Sequence, residues 1–110
     1  MAEYAVVLTT CGSREEAQTL ARGLVEARLA ACVQLMDIQS VYRWKGTIQE
    51  DPEVLLVIKT RRDRYANVEQ YIRTHHSYEV PEIVQLPIQE GFAPYLHWID
   101  QMVSPEDDKQ

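Results

Sequence analysis

Two adjacent histidines, His75 and His76, are the strongest chemical signal in the chain. Imidazole nitrogen suits Cu(II) and Zn(II), so the pair can ligate a divalent metal ion. Neighbouring side chains at a helix end point different ways, however, and chelation by both needs irregular backbone. On the residues alone the pair reads as capping or solvated histidines, since His near a helix C-terminus suits the dipole. Cys11 stands just before a helix start, where a thiolate is stabilised, yet it reads first as a small packed residue. Cys32, between Ala31 and Val33, reads as core. Lys59 precedes Arg61, Arg62 and Arg64, a basic cluster that fits a small anion. Glu53, Glu79 and Glu82 can equally neutralise that cluster across a subunit boundary. Tyr95 and Trp98 have helical spacing, so they read as core packing and not as a stacking platform. No Ser/His/Asp or paired-carboxylate arrangement follows from the spacing.

The elements that must position these residues follow from periodicity. Tyr4–Thr10 is apolar on both faces and predicts a central strand. Ser13 and Glu16 form a capping box. Behind it, Ala17, Leu20, Ala21, Leu24 and Val25 make the stripe of a helix that ends near Arg28. Ala30–Leu35 predicts a second strand, with a bend or bulge at Asp37 before the pattern resumes through Val41, Tyr42 and Trp44. Lys45-Gly46 is a hairpin turn, in which Gly46 supplies a positive φ. The return arm runs from Thr47, with an edge or bulge at Pro52, and ends in the buried run Val54–Thr60. Asp63 is the expected cap of a second helix with Tyr65, Val68, Tyr71 and Ile72 inward. His75-His76-Ser77 closes it, and Pro81 forces extended backbone on Val80. Ile83–Ile88 is a fourth strand. Pro94 opens a third helix with the stripe Tyr95, Trp98, Ile99, Met102.

The order β-α-β-β-α-β-α predicts an α+β, ferredoxin-like antiparallel sandwich, one domain over residues 1–103 with a long hairpin between its second and third strands. Residues 104–110 (SPEDDKQ) predict an acidic, frayed tail. At 110 residues a second core does not fit. The net charge of −6 argues against a nucleic-acid or anionic-membrane partner, which needs clustered positive charge. No apolar run approaches the roughly 20 residues of a membrane helix. The opening MAEYAVVLTT has no basic region, so no signal peptide is expected. Two cysteines make no disulfide framework, and the expected compartment is the cytoplasm.

Residues 31–60 would give each hairpin arm about 14 residues, against a usual strand of about 5–6. A two-helix layer cannot cover such arms, and their outer part still carries Val41, Tyr42, Trp44 and Ile48. The prediction is an obligate homo-oligomer joined through this hairpin. A ligand cleft between subunits would then be lined by Tyr42, Trp44, Lys59 and Glu82. Rival small sandwiches lack support. There is no C-x-x-C loop after the first strand, no glycine-rich phosphate cradle, and no aromatic platform on the central strands.

Several stretches together resemble the CutA family of divalent-cation tolerance proteins. They are Arg28-Leu29-Ala30-Ala31-Cys32-Val33, Ser40-Val41-Tyr42-Arg43-Trp44-Lys45-Gly46, Glu53–Thr60 (EVLLVIKT), His75–Ile83 (HHSYEVPEI) and Tyr95-Leu96-His97-Trp98-Ile99. They lie in order and span nearly everything from Tyr4 to Val103. The resemblance implies a ferredoxin-like homotrimer built through long hairpins, arranged like the PII signal-transduction proteins. It also implies a link to metal tolerance, with copper or another divalent cation bound weakly, no organic cofactor and no catalysis. Partners would be further copies of the chain and the metal ion. The alternative is a PII-like regulatory trimer that takes a small anionic ligand in the inter-subunit cleft. Family members that bind copper use a histidine pair matching His75 and His76, joined by a cysteine of the first strand. The matching position here is Thr9, and a hydroxyl replaces a soft thiolate poorly. Cys11 lies two residues further on.

Overall fold

The computed structural model describes residues 3–104. Burial alternates along the first strand, β1 (Tyr4–Cys11): Ala5, Val7, Thr9 and Cys11 are fully buried, while Tyr4, Val6 and Leu8 are half-buried. Thr10 is buried as well, so within the chain one face of the strand is fully covered and the other only in part.

Helix α1 (Arg14–Glu26) begins where the Ser13 hydroxyl accepts from the Glu16 amide at 3.1 Å. Only this half of the capping box forms. The Glu16 carboxylate does not turn back to Ser13; it accepts from the amide and hydroxyl of Ser77, at 2.8 and 3.1 Å. The helix ends with Arg28 in the left-handed region at φ 59°. Leu29 N–H closes the turn on Leu24 O at 3.0 Å, and the Arg28 guanidinium donates to Met102 O at 3.0 Å. That second bond ties a strained residue to the far end of the fold.

Strands β2 (Cys32–Trp44) and β3 (Thr47–Arg61) are 13 and 15 residues long. They pair without interruption from Cys32↔Lys59 to Trp44↔Thr47. Asp37 is thus no bulge; it faces Val54 in register and pairs with the Arg14 guanidinium. Pro52 also stays in register, opposite Gln39. It lies beyond Cys11↔Val54, the last β1 pair, so β3 is a local edge there and tolerates a residue without an N–H. The turn has φ 50° at Lys45 and 83° at Gly46, two positive values that match a type I′ hairpin.

A 3-10 turn at Arg62–Arg64 leads into α2 (Tyr65–His75). Asp63 does not cap this helix, because its carboxylate is held by Arg61 at 3.0 Å and the N-cap position falls on Arg64. Strand β4 (Val84–Ile88) begins one residue later than Ile83, and α3 (Ala93–Met102) carries Pro94 in its first turn.

The sheet order is β2-β3-β1-β4 with every pair antiparallel, the order of two interleaved split β-α-β units. Helices α1 and α2 cover one face through Leu20, Leu24, Val68 and Ile72, packed on Val7, Leu56 and Ile58. Helix α3 crosses the other face near Tyr4 and buries Ile99 against Ala31 and Val103. Trp98 only partly joins that cluster, and Tyr95 is exposed, stacked on Trp98 at 5.5 Å, so this stripe is core only at Ile99. The rest of that face is open. Met36, Leu86 and Val84, brought onto it by register, are 56%, 50% and 44% exposed. Residues 105–110 of the expected tail lie outside the described residues.

Candidate metal centre

His75 and His76 sit at the point where α2 stops, and the backbone separates them. His75 is the last helical residue. Its Nδ1–H donates to Tyr71 O at 2.8 Å and its ring stacks on Tyr71 at 4.0 Å, on the outside. His76 follows in extended conformation, φ −92° and ψ 144°. This change of backbone swings the second ring inward, and its side chain is fully buried. The two rings diverge, and the structure does not bring them onto one ion.

The His76 ring instead enters a polar pocket at the C-terminal end of β1. Its Nε2 lies 2.6 Å from Thr10 O and its Nδ1 accepts from the Tyr78 amide at 3.0 Å. A carbonyl can only accept, so the ring proton is on Nε2 and the Nδ1 lone pair is free of a proton. Cys11 Sγ is 3.8 Å from Nε2, and Glu16 Oε2 is 3.6 Å from Nδ1. Donor atoms of Cys11, Glu16 and His76 all lie within 4.8 Å of one another. Sulfur, nitrogen and oxygen thus converge from the end of β1, the first turn of α1 and the exit of α2.

Burial pushes the Cys11 thiol up to about 12, and the nearby Glu16 and Glu53 carboxylates push the same way. The expectation of a thiolate stabilised by the helix start does not hold. Two negative groups and desolvation outweigh the helix dipole, and the thiol packs as a neutral group at neutral pH. Tyr78 closes the pocket from the loop after α2. Its hydroxyl donates to Glu53 at 2.9 Å, and Glu53 also accepts from Ser40 at 2.7 Å. Burial and then the Glu53 bond raise the Tyr78 phenol to about 12. Gly12 makes room: a Cβ there would stand 3.0 Å from the Tyr78 hydroxyl.

Glu16 and Tyr78 are site residues that the sequence reading missed. Glu16 gave a signal, a carboxylate in the first turn after a cysteine, but one that a cap explains equally well. Tyr78 gave none. Thr9, the position that matches the family cysteine, is fully buried on the same β1 face as Cys11, and its hydroxyl has no hydrogen-bond partner among the described residues.

The residues of the expected inter-subunit cleft do not meet within one chain. Tyr42 and Trp44 lie near the hairpin tip, where Tyr42 donates to Asp51 at 2.6 Å. Lys59 lies at the opposite end of β3, with its ammonium 5.9 Å from the Tyr95 ring. Glu82 is exposed in the loop before β4. Nor do Glu53, Glu79 and Glu82 neutralise the basic cluster within the chain. Arg61 pairs with Asp63 and Asp100, and Arg64 donates to Val103 O.

Comparison with known proteins gives a consistent match. The family model described as CutA1 divalent ion tolerance protein matches residues 5–102. A CutA homolog from Xenopus laevis is 48% identical over 95 residues, covering 86% of this chain and 63% of that protein. The chain therefore spans less than two thirds of the length of that relative. A divalent-cation tolerance protein CutA from Thermus thermophilus is 47% identical over 95 residues, 86% of this chain and 92% of that protein. Among solved structures, the periplasmic divalent cation tolerance protein CutA from Archaeoglobus fulgidus superposes with a TM-score of 0.90 at 37% identity, covering 92% and 99% of the two chains.

Proposed function

The chain belongs to the CutA1 divalent ion tolerance family, and from that premise we propose that it is a non-enzymatic homotrimer of the divalent-metal response that binds copper or another divalent cation directly. The observation that carries this reading is the convergence of a thiol, an imidazole and a carboxylate within 4.8 Å in a chain of this family. Such donors suit the borderline and soft end of the divalent series.

Assembly is supported by what one chain leaves uncovered. From Ile38↔Glu53 to Trp44↔Thr47 the two hairpin arms have no third strand beside them, and Trp44 is 58% exposed. The open sheet face adds Met36, Val84 and Leu86. Patches of this kind mark protein contacts, and three copies is the number that the family resemblance implies. We propose the cytoplasm as the compartment, where free Cys11 and Cys32 stay reduced; cell fractionation checks it.

A second reading, a PII-like trimer with an anionic ligand between subunits, is favoured by Lys59. Its ammonium faces the Tyr95 ring and meets no carboxylate among the described residues. Two measurements separate these readings. Calorimetric titration with Cu(II) and Zn(II) should give saturable binding to the assembled protein, and native mass spectrometry should give three chains per particle. Binding of neither ion removes the first reading. A thermal shift with small anions but not cations supports the second.

A further inference from the structure

We infer that the cation is held by Cys11 Sγ, His76 Nδ1 and the Glu16 carboxylate, and that His75 takes no part; this rests on the reading of the chain as a cation binder. The geometry singles out Nδ1. It is the ring nitrogen without a proton, and Glu16 Oε2 lies 3.6 Å from it. Two nitrogen or oxygen ligands at about 2.05 Å from one tetrahedral ion stand about 3.3 Å apart, so little movement is needed between these two, whereas Cys11 Sγ lies 3.8 Å from the opposite nitrogen, Nε2, and has to turn toward Nδ1. The opposite nitrogen already has the partner that metal-bound histidines usually have: Nε2–H donates to the Thr10 carbonyl at 2.6 Å, which fixes the ring.

The ligand class follows from the donor set. A thiolate, an imidazole and one carboxylate select zinc, cobalt or cadmium over magnesium and calcium, which require oxygen. Three protein ligands leave a fourth position for water. Binding forms a metal–sulfur bond and sends the thiol proton to solvent, one per ion. No ring proton has to move.

The ion must also displace two contacts. The Tyr78 amide gives up Nδ1, and the Ser77 amide and hydroxyl give up at least part of their hold on Glu16. Metal uptake is thereby coupled to the Ser77–Tyr78 segment, and through the Tyr78 hydroxyl to Glu53 at the base of the long hairpin.

Cobalt(II) is the probe. Titrated into the assembled wild-type protein, it should give thiolate-to-metal charge-transfer absorption in the near ultraviolet and release one proton per ion in weak buffer. Cys32→Ser and His75→Ala should keep the absorption; Cys11→Ser should lose it. Glu16→Gln should weaken Co(II) and Zn(II) by about tenfold or more. In the wild type, Zn(II) should shift the amide resonances of Ser77 and Tyr78. Should Cys11→Ser fail to fold, the wild-type and Cys32→Ser spectra decide alone. Cobalt bound without a sulfur band, or a band that vanishes in Cys32→Ser or His75→Ala, overturns the assignment and leaves the cation-binding reading standing. Wild type that takes up no ion at all overturns both.

Discussion

The Tyr71 hydroxyl occupies the space that a Cβ on Gly23 would need. This contact lets α1 and α2 lie close over the sheet, with Leu24, Val68 and Ile72 beneath. Gly23 lies in mid-helix, where alanine normally gains about 0.5–1 kcal/mol. Here the added methyl overlaps a ring, and overpacking costs about 1–3 kcal/mol. Gly23→Ala should therefore lower stability by about 1 kcal/mol in a urea titration, and Gly23→Ala/Tyr71→Phe should recover part of the loss. A stabilised Gly23→Ala would show that the helices separate without cost.

Thr9 gives the opposite expectation. A buried hydroxyl without a partner costs about 1–3 kcal/mol in mutational series. Val has nearly the same shape. Thr9→Val should raise the unfolding free energy by about 1 kcal/mol, with the change visible in the denaturant midpoint at constant slope. A drop in stability would mean that the hydroxyl has found a partner.

Alkaline pH should loosen the fold. Tyr4 donates to Asp100 at 2.7 Å, and that bond, with burial, holds its phenol up to about 12. The unfolded value is about 10. A folded value above the unfolded one contributes stability that is fully present below about pH 10 and is lost as pH rises through 12. Cys11 acts in the same direction from a lower starting value. Urea midpoints should fall steadily from about pH 9 upward, and Tyr4→Phe should be less stable than wild type at pH 8 but approach it near pH 12. An equally steep fall in Tyr4→Phe would acquit the phenol.

Assembly has its own test. Trp44 is 58% exposed in the single chain, at the tip of the hairpin. Trp44→Asp should shift the particle toward smaller mass in light scattering. A variant that keeps the wild-type mass puts Trp44 outside the contact.

Much of this architecture was legible because it depends on local rules. The Ser13 cap, the stripe from Ala17 to Leu24 and the Lys45-Gly46 turn each need only a few neighbouring residues to specify them. The errors share a cause. Asp37 and Asp63 are residues whose local preference is a bend or a cap, and in each case another side chain takes the carboxylate. Arg14 pairs with Asp37 in a straight strand and the neighbouring Arg61 takes Asp63 away from α2, whereas Pro52 lies at a local edge, one of the two outcomes its chemistry suggested. The candidate centre was half visible. Residue chemistry marked His76 and Cys11, and the divergence of adjacent histidines was foreseeable from helix geometry. Glu16 and Tyr78 were not, since their roles depend on how the exit of α2 lands against the start of α1.

Residues Ile38–Trp44 and Thr47–Glu53 gain almost nothing from the rest of their own chain. An isolated two-stranded ribbon is marginal in water, so on the proposed assembly these arms would become firm only when copies meet. Newly synthesised copies would then mature at a rate set by how often they collide, and a crowded or heated cell, rich in other exposed strands, would be their most dangerous moment.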